Sequence, residues 1–384
     1  MSSQLHIVGL PHTHTDGQWT TCAYTEKIRK FCAMMTGGER KVILYGSEFN
    51  TAPCDEHVVL VTDEQRVGWF GPPDESALNR GGFGWDASSP WWTVMNARAI
   101  GEITLRANRQ DLLLISSGTS QQIIADAIPQ LTVAEFGVGY EGILTRRVSN
   151  GGPMFAAFES QSHRHLVYGL QGWRRGREYD AVIPNYFEPD ELPYGDGDSG
   201  YLLFMGRLIY QKGVHVAAMV AEALNMRLVV AGPGATEWGD GYVKFPEGEA
   251  RCPGLEYVGS VGAEERAQLM GGAACTLMPT IYVEPFGGVA VESMMCGTPV
   301  VTTDFGAFTE TVVEGVSGYR FQTLQEAVDR TVAAMELDRE AVRRHAVDRY
   351  SLDAVEPLYD RWFTNLDGLW GEGWTALRDR ELVA

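Results

Sequence analysis

The apolar positions of this chain fall into short, dense runs separated by longer segments of helical repeat. Residues 5–10, 41–45, 58–61, 112–116, 131–136, 154–158 and 181–184 form the first set of runs, dominated by Leu, Val, Ile, Phe and Ala. Between them, residues 23–35 and 97–107 carry apolar side chains at helical spacing. A short apolar run without alternation is the mark of a strand buried on both faces, and strand–helix alternation predicts a parallel sheet covered by helices. The same grammar restarts at residue 201. Strands are predicted at 201–205, 226–231, 255–258, 274–278 and 299–303, and helices at 213–224, 263–270 and 287–296, with Gly297 as the stop of the last. Between the two series, residues 184–200 are rich in Pro, Gly and Asp and have little periodicity, so they read as a linker.

The expected fold is therefore α/β with two doubly wound domains. Residues 1–185 make the N-terminal domain, 186–200 the linker and 201–354 the C-terminal domain; 355–384, with Trp362, Trp370 and Trp374, make a helical segment that crosses back to the first domain. A length of 384 residues accommodates two domains at about 100–200 residues each. No fixed-period repeat and no low-complexity tract appears.

Charge and cysteine usage narrow the functional classes. Asp and Glu number 50 against 31 Lys and Arg, a formal charge of −19. This balance argues against non-specific binding of nucleic acid or an anionic membrane, while leaving room for a local basic pocket. No apolar stretch reaches the about 18 residues of a membrane span. Residues 1–10 read as a strand without the basic start of a signal peptide. The six cysteines, Cys22, Cys32, Cys54, Cys252, Cys275 and Cys296, form no C-x-x-C pair, and Cys275 and Cys296 lie in apolar runs. Reduced thiols in a cytoplasmic protein are expected.

Ligands of open α/β sheets bind beyond the carboxyl ends of the strands, so the loops after Leu10, Phe158, Met205, Ala231, Val258 and Met278 are the ones to read for chemistry. After Met278 comes Glu284-Pro285-Phe286-Gly287-Gly288-Val289-Ala290-Val291-Glu292. The glycines let backbone amides approach a ligand, the helix start favours anionic or polar groups, and the two carboxylates match the hydroxyl donors of a sugar or ribose. The bland alternative is a helix with an acidic first turn and an unrelated upstream glutamate. After Met205 comes Gly206-Arg207-Leu208-Ile209-Tyr210-Gln211-Lys212-Gly213. Two cations on one strand-to-helix loop suit a diphosphate, Arg207 as a fork and Lys212 as a mobile point charge; a solvated basic loop is the alternative.

Together these segments resemble the retaining nucleotide-sugar glycosyltransferases of the GT-B type, glycosyltransferase family 4 in particular, whose pattern is Gly-Arg, then Lys-Gly, then Glu-x7-Glu. The resemblance covers residues 201–321 and includes Ala231-Gly232-Pro233-Gly234, Tyr257-Val258-Gly259-Ser260-Val261, Cys296-Gly297-Thr298-Pro299-Val300-Val301 and the turn Glu314-Gly315-Val316-Ser317-Gly318. Over residues 1–183 it is weaker and mostly topological, although Val182-Ile183-Pro184-Asn185 fits.

The resemblance implies two Rossmann-like domains facing a central cleft and transfer of a sugar, with retention, from a nucleotide diphosphate sugar to an acceptor hydroxyl. Arg207 and Lys212 would hold the diphosphate and stabilise the leaving group. Glu284 would face the donor sugar, with the backbone of Phe286, Gly287, Gly288 and Val289 reaching the donor. Glu292 would take the ribose hydroxyls. Pro233 and Gly234, with Gly259, Ser260 and Val261, would flank the base, and Gly17 would lie beside the phosphates. No metal and no cofactor beyond the co-substrate are expected. His163, in the segment after the strand at 154–158, would contact the donor sugar or position the acceptor; a proton-handling or packing role stays open, and His165 is expected in the following helix.

Other segments leave alternatives open. His12, His14 and Asp16 suit a metal site, polar contacts to acceptor or phosphate, or a structured loop. Asp196-Gly197-Asp198 reads as a solvated turn. Trp85, Trp91 and Trp92, in the Gly- and Trp-rich stretch 81–92, suit stacking on a sugar or base, or plugging of a loop. Arg146, Arg147, Arg174, Arg175 and Arg177, with Arg164, make either a phosphate-binding patch or a solvated face. A saccharide or small-molecule acceptor is favoured, with a hydroxymethylated DNA base as the alternative. Rivals to the transferase are a sugar-nucleotide epimerase, a phosphorolytic enzyme and a non-catalytic sugar-nucleotide-binding protein.

Overall fold

The computed structural model describes residues 3–19, 22–72, 84–137, 154–174, 176–197 and 199–370. The chain divides into two units, one of residues 1–159, 167–183 and 355–384, the other of residues 160–166 and 184–354.

In the first unit, seven strands form a parallel sheet: β1 (Leu5–Val8), β2 (Val42–Ser47), β3 (Glu56–Val61), β4 (Leu112–Ile115), β5 (Thr132–Glu135), β6 (Met154–Phe158) and β7 (Ala181–Val182). Their order is β3-β2-β1-β4-β5-β6-β7, so the winding reverses between β1 and β4. The central strands β1, β4 and β5 are wholly buried, the polar His6, Thr132 and Glu135 included, and Ile43, Leu60, Leu113 and Val133 pack with Met95, Ala99 and Ile103. The connecting helices are α1 (Ala23–Met35), α2 (Asp63–Phe70), α3 (Pro90–Arg106), α4 (Gln122–Ala127) and, from Val167 onward, α5 (Gln161–Gln171), whose first residues group with the second unit. Helix α2 opens with a capping box, in which Thr62 and Gln65 satisfy each other's backbone amides.

The second unit holds a six-stranded parallel sheet built from β8 (Tyr201–Met205), β9 (Arg227–Ala231), β13 (Leu255–Gly259), β14 (Cys275–Met278), β15 (Val300–Thr303) and β16 (Gly318–Phe321), in the order β13-β9-β8-β14-β15-β16. Its winding reverses between β8 and β14. A separate antiparallel sheet, β10 (Glu237–Gly239), β11 (Tyr242–Phe245) and β12 (Gly248–Arg251), is inserted between β9 and β13. Helices α6 (Val214–Leu224), α7 (Ala263–Gly272), α8 (Gly288–Met295), α9 (Phe308–Thr311), α10 (Leu324–Met335) and α11 (Arg339–Tyr350) complete the unit. The Pro-, Gly- and Asp-rich stretch before β8 is bonded along this unit: Gly195 N donates to Cys296 O at 3.0 Å and Gly197 N to Gly271 O at 3.1 Å.

The last helix, α12 (Leu352–Asp367), groups with the first unit from Val355 onward. Tyr359 meets Phe31 edge-on at 5.1 Å, Trp362 Nε1 donates to Tyr179 O at 2.7 Å, and Arg40 bridges Asp360 at 2.7 Å and Asp367 at 2.9 Å. No two cysteines are bridged; burial pushes the Cys296 thiol up to about 12 and the Cys252 thiol up to about 11, which makes both poor nucleophiles. Among the described residues no helix is long and apolar enough to cross a membrane.

Candidate functional site

Strands β8 and β14 are neighbours at the point where the second sheet reverses its winding, and a crevice opens where loops leave such a pair in opposite directions. The loop after β8 carries Arg207 and Lys212; the loop after β14 carries Glu284. Ile281 N donates to Gln211 O at 2.9 Å and ties the two loops together. At Gly213 the chain passes so close to β14 that a Cβ would lie 2.1 Å from Pro279 O, and φ is +77°. Only glycine fits there, and this close approach brings the preceding lysine to the neighbouring loop.

Lys212 Nζ donates to Glu284 Oε2 at 2.7 Å and lies 5.0 Å from the centre of the Tyr282 ring. Glu284 is 8% exposed, so its carboxylate needs this partner. Arg207 is exposed at the end of β8 and makes no ion pair among the described residues. One cation is thus held in place and one left to reach a ligand.

Beyond Glu284 the chain turns into α8. Phe286 is buried, stacked on Phe187 at 6.2 Å and edge-on to Tyr350 at 5.6 Å, so its side chain anchors the loop to the core. Gly287 has φ +81°, and a Cβ there would lie 2.5 Å from the Phe308 ring. The first intrahelical bond runs from Ala290 N to Gly287 O, which leaves the amides of Gly288 and Val289 ahead of the ladder as donors for an anion. Glu292, in the second turn of the helix, is 9% exposed and has Arg266 Nη1 of α7 at 3.5 Å from its Oε1.

The remaining base-side candidates lie at the same end of the sheet. Pro233, Gly234 and Ser260 are exposed; Gly259 and Val261 are half-buried. Gly232 N donates to Gly259 O at 2.7 Å and Leu208 N to Pro233 O at 2.8 Å, so the loops after β8, β9 and β13 are knitted together. The structure therefore brings Arg207, Lys212, Glu284, Phe286, Gly287, Gly288, Val289 and Glu292 to adjacent loops and one helix of the second unit. Gly17 lies in an exposed turn of the first unit, beside Asp16, whose Oδ1 accepts from Gln18 N at 2.9 Å.

His163 is in helix α5, which begins at Gln161, so the segment expected to be a loop before His165 is already helical. The reason is a cap that sequence reading did not find. Glu310 of α9 accepts from Gln161 N and Ser162 N at 2.8 Å each, and neutralises the exposed amides of the first turn. Ser160 Oγ donates to Pro285 O at 2.7 Å and accepts from His163 N at 2.9 Å. Through Ser160 the buried His163 is carried to the turn that follows Glu284. Glu310 and Arg266 have no local signature; both act through residues distant in sequence.

The loop after β1 is packed rather than open. His14 Nδ1 lies 3.0 Å from Ser47 Oγ and its Nε2 2.9 Å from Asp63, while His12 Nε2 lies 3.7 Å from Cys22 Sγ. Among the described residues no group of three His, Cys, Asp or Glu could hold a metal ion. His12 is buried against Phe70 and Trp85, and this burial, with the Arg66 charge nearby, lowers its pKa from 6.5 to about 3. Below pH 6.5 the unfolded chain binds a proton here that the folded chain refuses, so stability falls with pH across the window from 6.5 to about 3. Between pH 7.5 and 5.5 this one residue is expected to remove about 1.4 kcal/mol. Urea unfolding of wild type and His12→Gln at both values checks it: the variant should lose less stability on acidification, and equal losses would refute the account.

Of the other candidates, Trp92 is fully buried with Nε1 donating to Gly84 O, which makes it a packing residue, while Trp85 meets His12 and Tyr24 and keeps part of its ring exposed. Trp91 meets Phe70 at 5.2 Å. Residues 81–83, Arg146, Arg147, Arg175, Asp198 and Trp374 lie outside the described residues. Arg177 is engaged internally, 2.7 Å from Asp180 and 4.5 Å above Trp173, and Arg164 reaches Gln161. Asp196 is exposed.

Comparison with known proteins places this geometry. Residues 195–350 match the family described as glycosyl transferases group 1. The glycogen synthase of Mycobacterium tuberculosis is 34% identical over 122 residues, which are 30% of this chain and 29% of that protein; the match thus spans under a third of the relative's length. Over 95% of this chain and 99% of the other, the fold is similar to that of sucrose-phosphate synthase from Thermosynechococcus elongatus, with a TM-score of 0.63 at 13% identity. It is also similar to that of Anabaena HepE, solved in complex with UDP and glucose, with a TM-score of 0.61 at 14% identity over 94% of this chain and 99% of that one. The chain has the GT-B type of fold, two Rossmann-like sheets each covered by helices.

Proposed function

We propose that this protein, whose residues 195–350 match the family described as glycosyl transferases group 1, moves a sugar from a nucleotide diphosphate sugar to an acceptor hydroxyl, with retention at the anomeric carbon, and that the acceptor is a saccharide or small molecule. The observation that carries this reading is the Lys212–Glu284 pair, 2.7 Å apart on the two loops of the switch point and followed by the free first-turn amides of α8. A diphosphate needs positive charge and oriented donors, and Lys212, Arg207 and the amides of Gly288 and Val289 supply both. A hexose presents several hydroxyl donors, and Glu284 is an acceptor for them.

The chemistry follows from where charge develops. As the sugar–oxygen bond breaks, negative charge grows on the departing diphosphate. Fixed donors stabilise that charge more than the ground state, and this difference is what lowers the barrier. The Lys212 ammonium has three donors, so it keeps Glu284 Oε2 and still reaches the diphosphate, while the other carboxylate oxygen of Glu284 accepts from a sugar hydroxyl. Glu292 accepts from the ribose hydroxyls in ground and transition state alike, so it contributes affinity. The two cations neutralise the diphosphate without a divalent ion.

UDP-, GDP- and ADP-sugars incubated with the protein and a panel of saccharide acceptors should identify one donor that is consumed with transfer, and proton NMR of the product should show the donor's anomeric configuration. The rate should be unchanged by exhaustive chelation. Inversion, or loss of activity restored by Mg²⁺ or Mn²⁺, would overturn the corresponding part of the proposal.

A further inference from the structure

The antiparallel insertion β10–β12 stands between β9 and β13, the strands whose following loops carry Pro233, Gly234, Gly259 and Ser260. Its register sets Trp238 opposite Val243 and Val243 opposite Ala250. Cross-strand partners share a face, so these three residues form one row. Val243 and Ala250 are buried against α6 and β9, as an inner row should be. The outer face is a charged ladder of Glu237, Lys244 and Glu249, with Lys244 bridging Glu237 at 2.9 Å.

Trp238 belongs to the inner row and yet keeps 58% of its surface exposed. It sits on the edge strand, where its ring reaches past the insertion and meets Tyr257 of β13 edge-on, with centroids 5.3 Å apart and planes at 63°. Tyr257 Oη donates to Gly232 O at 2.7 Å, and Gly232 N donates to Gly259 O at 2.7 Å. The indole is therefore braced, through Tyr257, on the two backbone loops that leave β9 and β13, while much of its surface stays uncovered. Leaving so large an apolar ring in water has a cost that burying it deeper on the same row would have avoided. A flat partner bound at these loops would recover it.

We propose that Trp238 stacks on the base of the nucleoside diphosphate donor and is a binding residue that adds affinity for that donor. The inference rests on the donor reading above and adds to it a platform outside the two charged loops. Stacking on an indole is tolerant of the base and is made equally before and during reaction, so it acts on affinity rather than on turnover.

Calorimetric titration of the full chain with UDP, GDP, ADP and inorganic pyrophosphate tests it. In wild type the preferred nucleotide is expected to bind; in Trp238→Ala its affinity should fall about tenfold, while Trp238→Phe, which keeps a ring, should recover most of the loss. Pyrophosphate, which has no base, should bind all three proteins alike. Unchanged nucleotide affinity in Trp238→Ala, or an equal loss for pyrophosphate, would overturn the stacking role while leaving the donor reading intact. A wild-type protein that binds none of the three nucleotides would overturn both.

Discussion

On the function proposed above, Lys212→Ala is expected to lower the rate of glycosyl transfer by about a hundredfold to a thousandfold, the range for loss of one fixed transition-state donor. The structure makes this the most damaging change in the site. Lys212 is held on one side by the Glu284 carboxylate at 2.7 Å and on another by the Tyr282 ring at 5.0 Å, so its charge is already in place when the donor arrives. Its removal subtracts a cation and also leaves Glu284, 8% exposed, as an uncompensated anion beside the incoming phosphates. Both kcat and KM should suffer. Arg207→Ala should cost less, about tenfold, because that side chain is exposed and must be ordered by the ligand itself. Glu292→Ala should instead raise the KM for donor with kcat largely kept, since the proposed ribose contact would be made before and during reaction. Steady-state kinetics with the preferred donor separate the three. Wild-type turnover in both Lys212→Ala and Arg207→Ala would show that this loop holds no phosphate.

The largest stability effect is expected in the first unit, at Lys27→Met. Lys27 Nζ donates to Glu159 Oε1 at 3.0 Å and to Gly137 O at 2.9 Å, and the two side chains are 6% and 2% exposed. Helix α1 thereby reaches the ends of β5 and β6. A buried pair of this kind contributes little over an apolar replacement of both members, but removing the lysine takes from the buried Glu159 the cation it faces, at a cost of up to about 3–5 kcal/mol. Urea denaturation should show a loss for Lys27→Met. Lys27→Met combined with Glu159→Gln should recover part of it, because the buried carboxylate charge is gone. A single variant as stable as wild type would refute the account.

Much of the scaffold was readable from local pattern. The runs predicted at 41–45, 112–116, 201–205, 274–278 and 299–303 each contain a strand, because a strand buried on both faces is apolar at most of its positions. Helix α1 and β8 coincide with the residues expected of them. The inserted sheet β10–β12 escaped notice because its strands are three or four residues long and each carries a charged residue, so no run reaches the length that pattern needs. Helix α5 starts earlier than expected because Glu310, well over a hundred positions away, caps it.

The candidate site divides along the same line. Residue type and spacing along the chain determined that two short loops carry cations and carboxylates, and that each follows a strand and precedes a helix. Those are local facts, fixed by the strand run, the glycine and the helix start on either side. Sequence could not say that Lys212 and Glu284 touch, since 72 positions separate them. That contact exists because β14 pairs with β8 while β9 and β13 are laid on the other side, an order set by the packing of whole helices on a twisted sheet. Nor could it say that Arg266 faces Glu292, that Tyr282 lies under Lys212, or that Trp238 is braced on Tyr257 with its ring uncovered. Hydrophobic period reports how deeply each residue is buried. Which buried residues meet is decided by strand order and helix docking, and these belong to the tertiary structure alone.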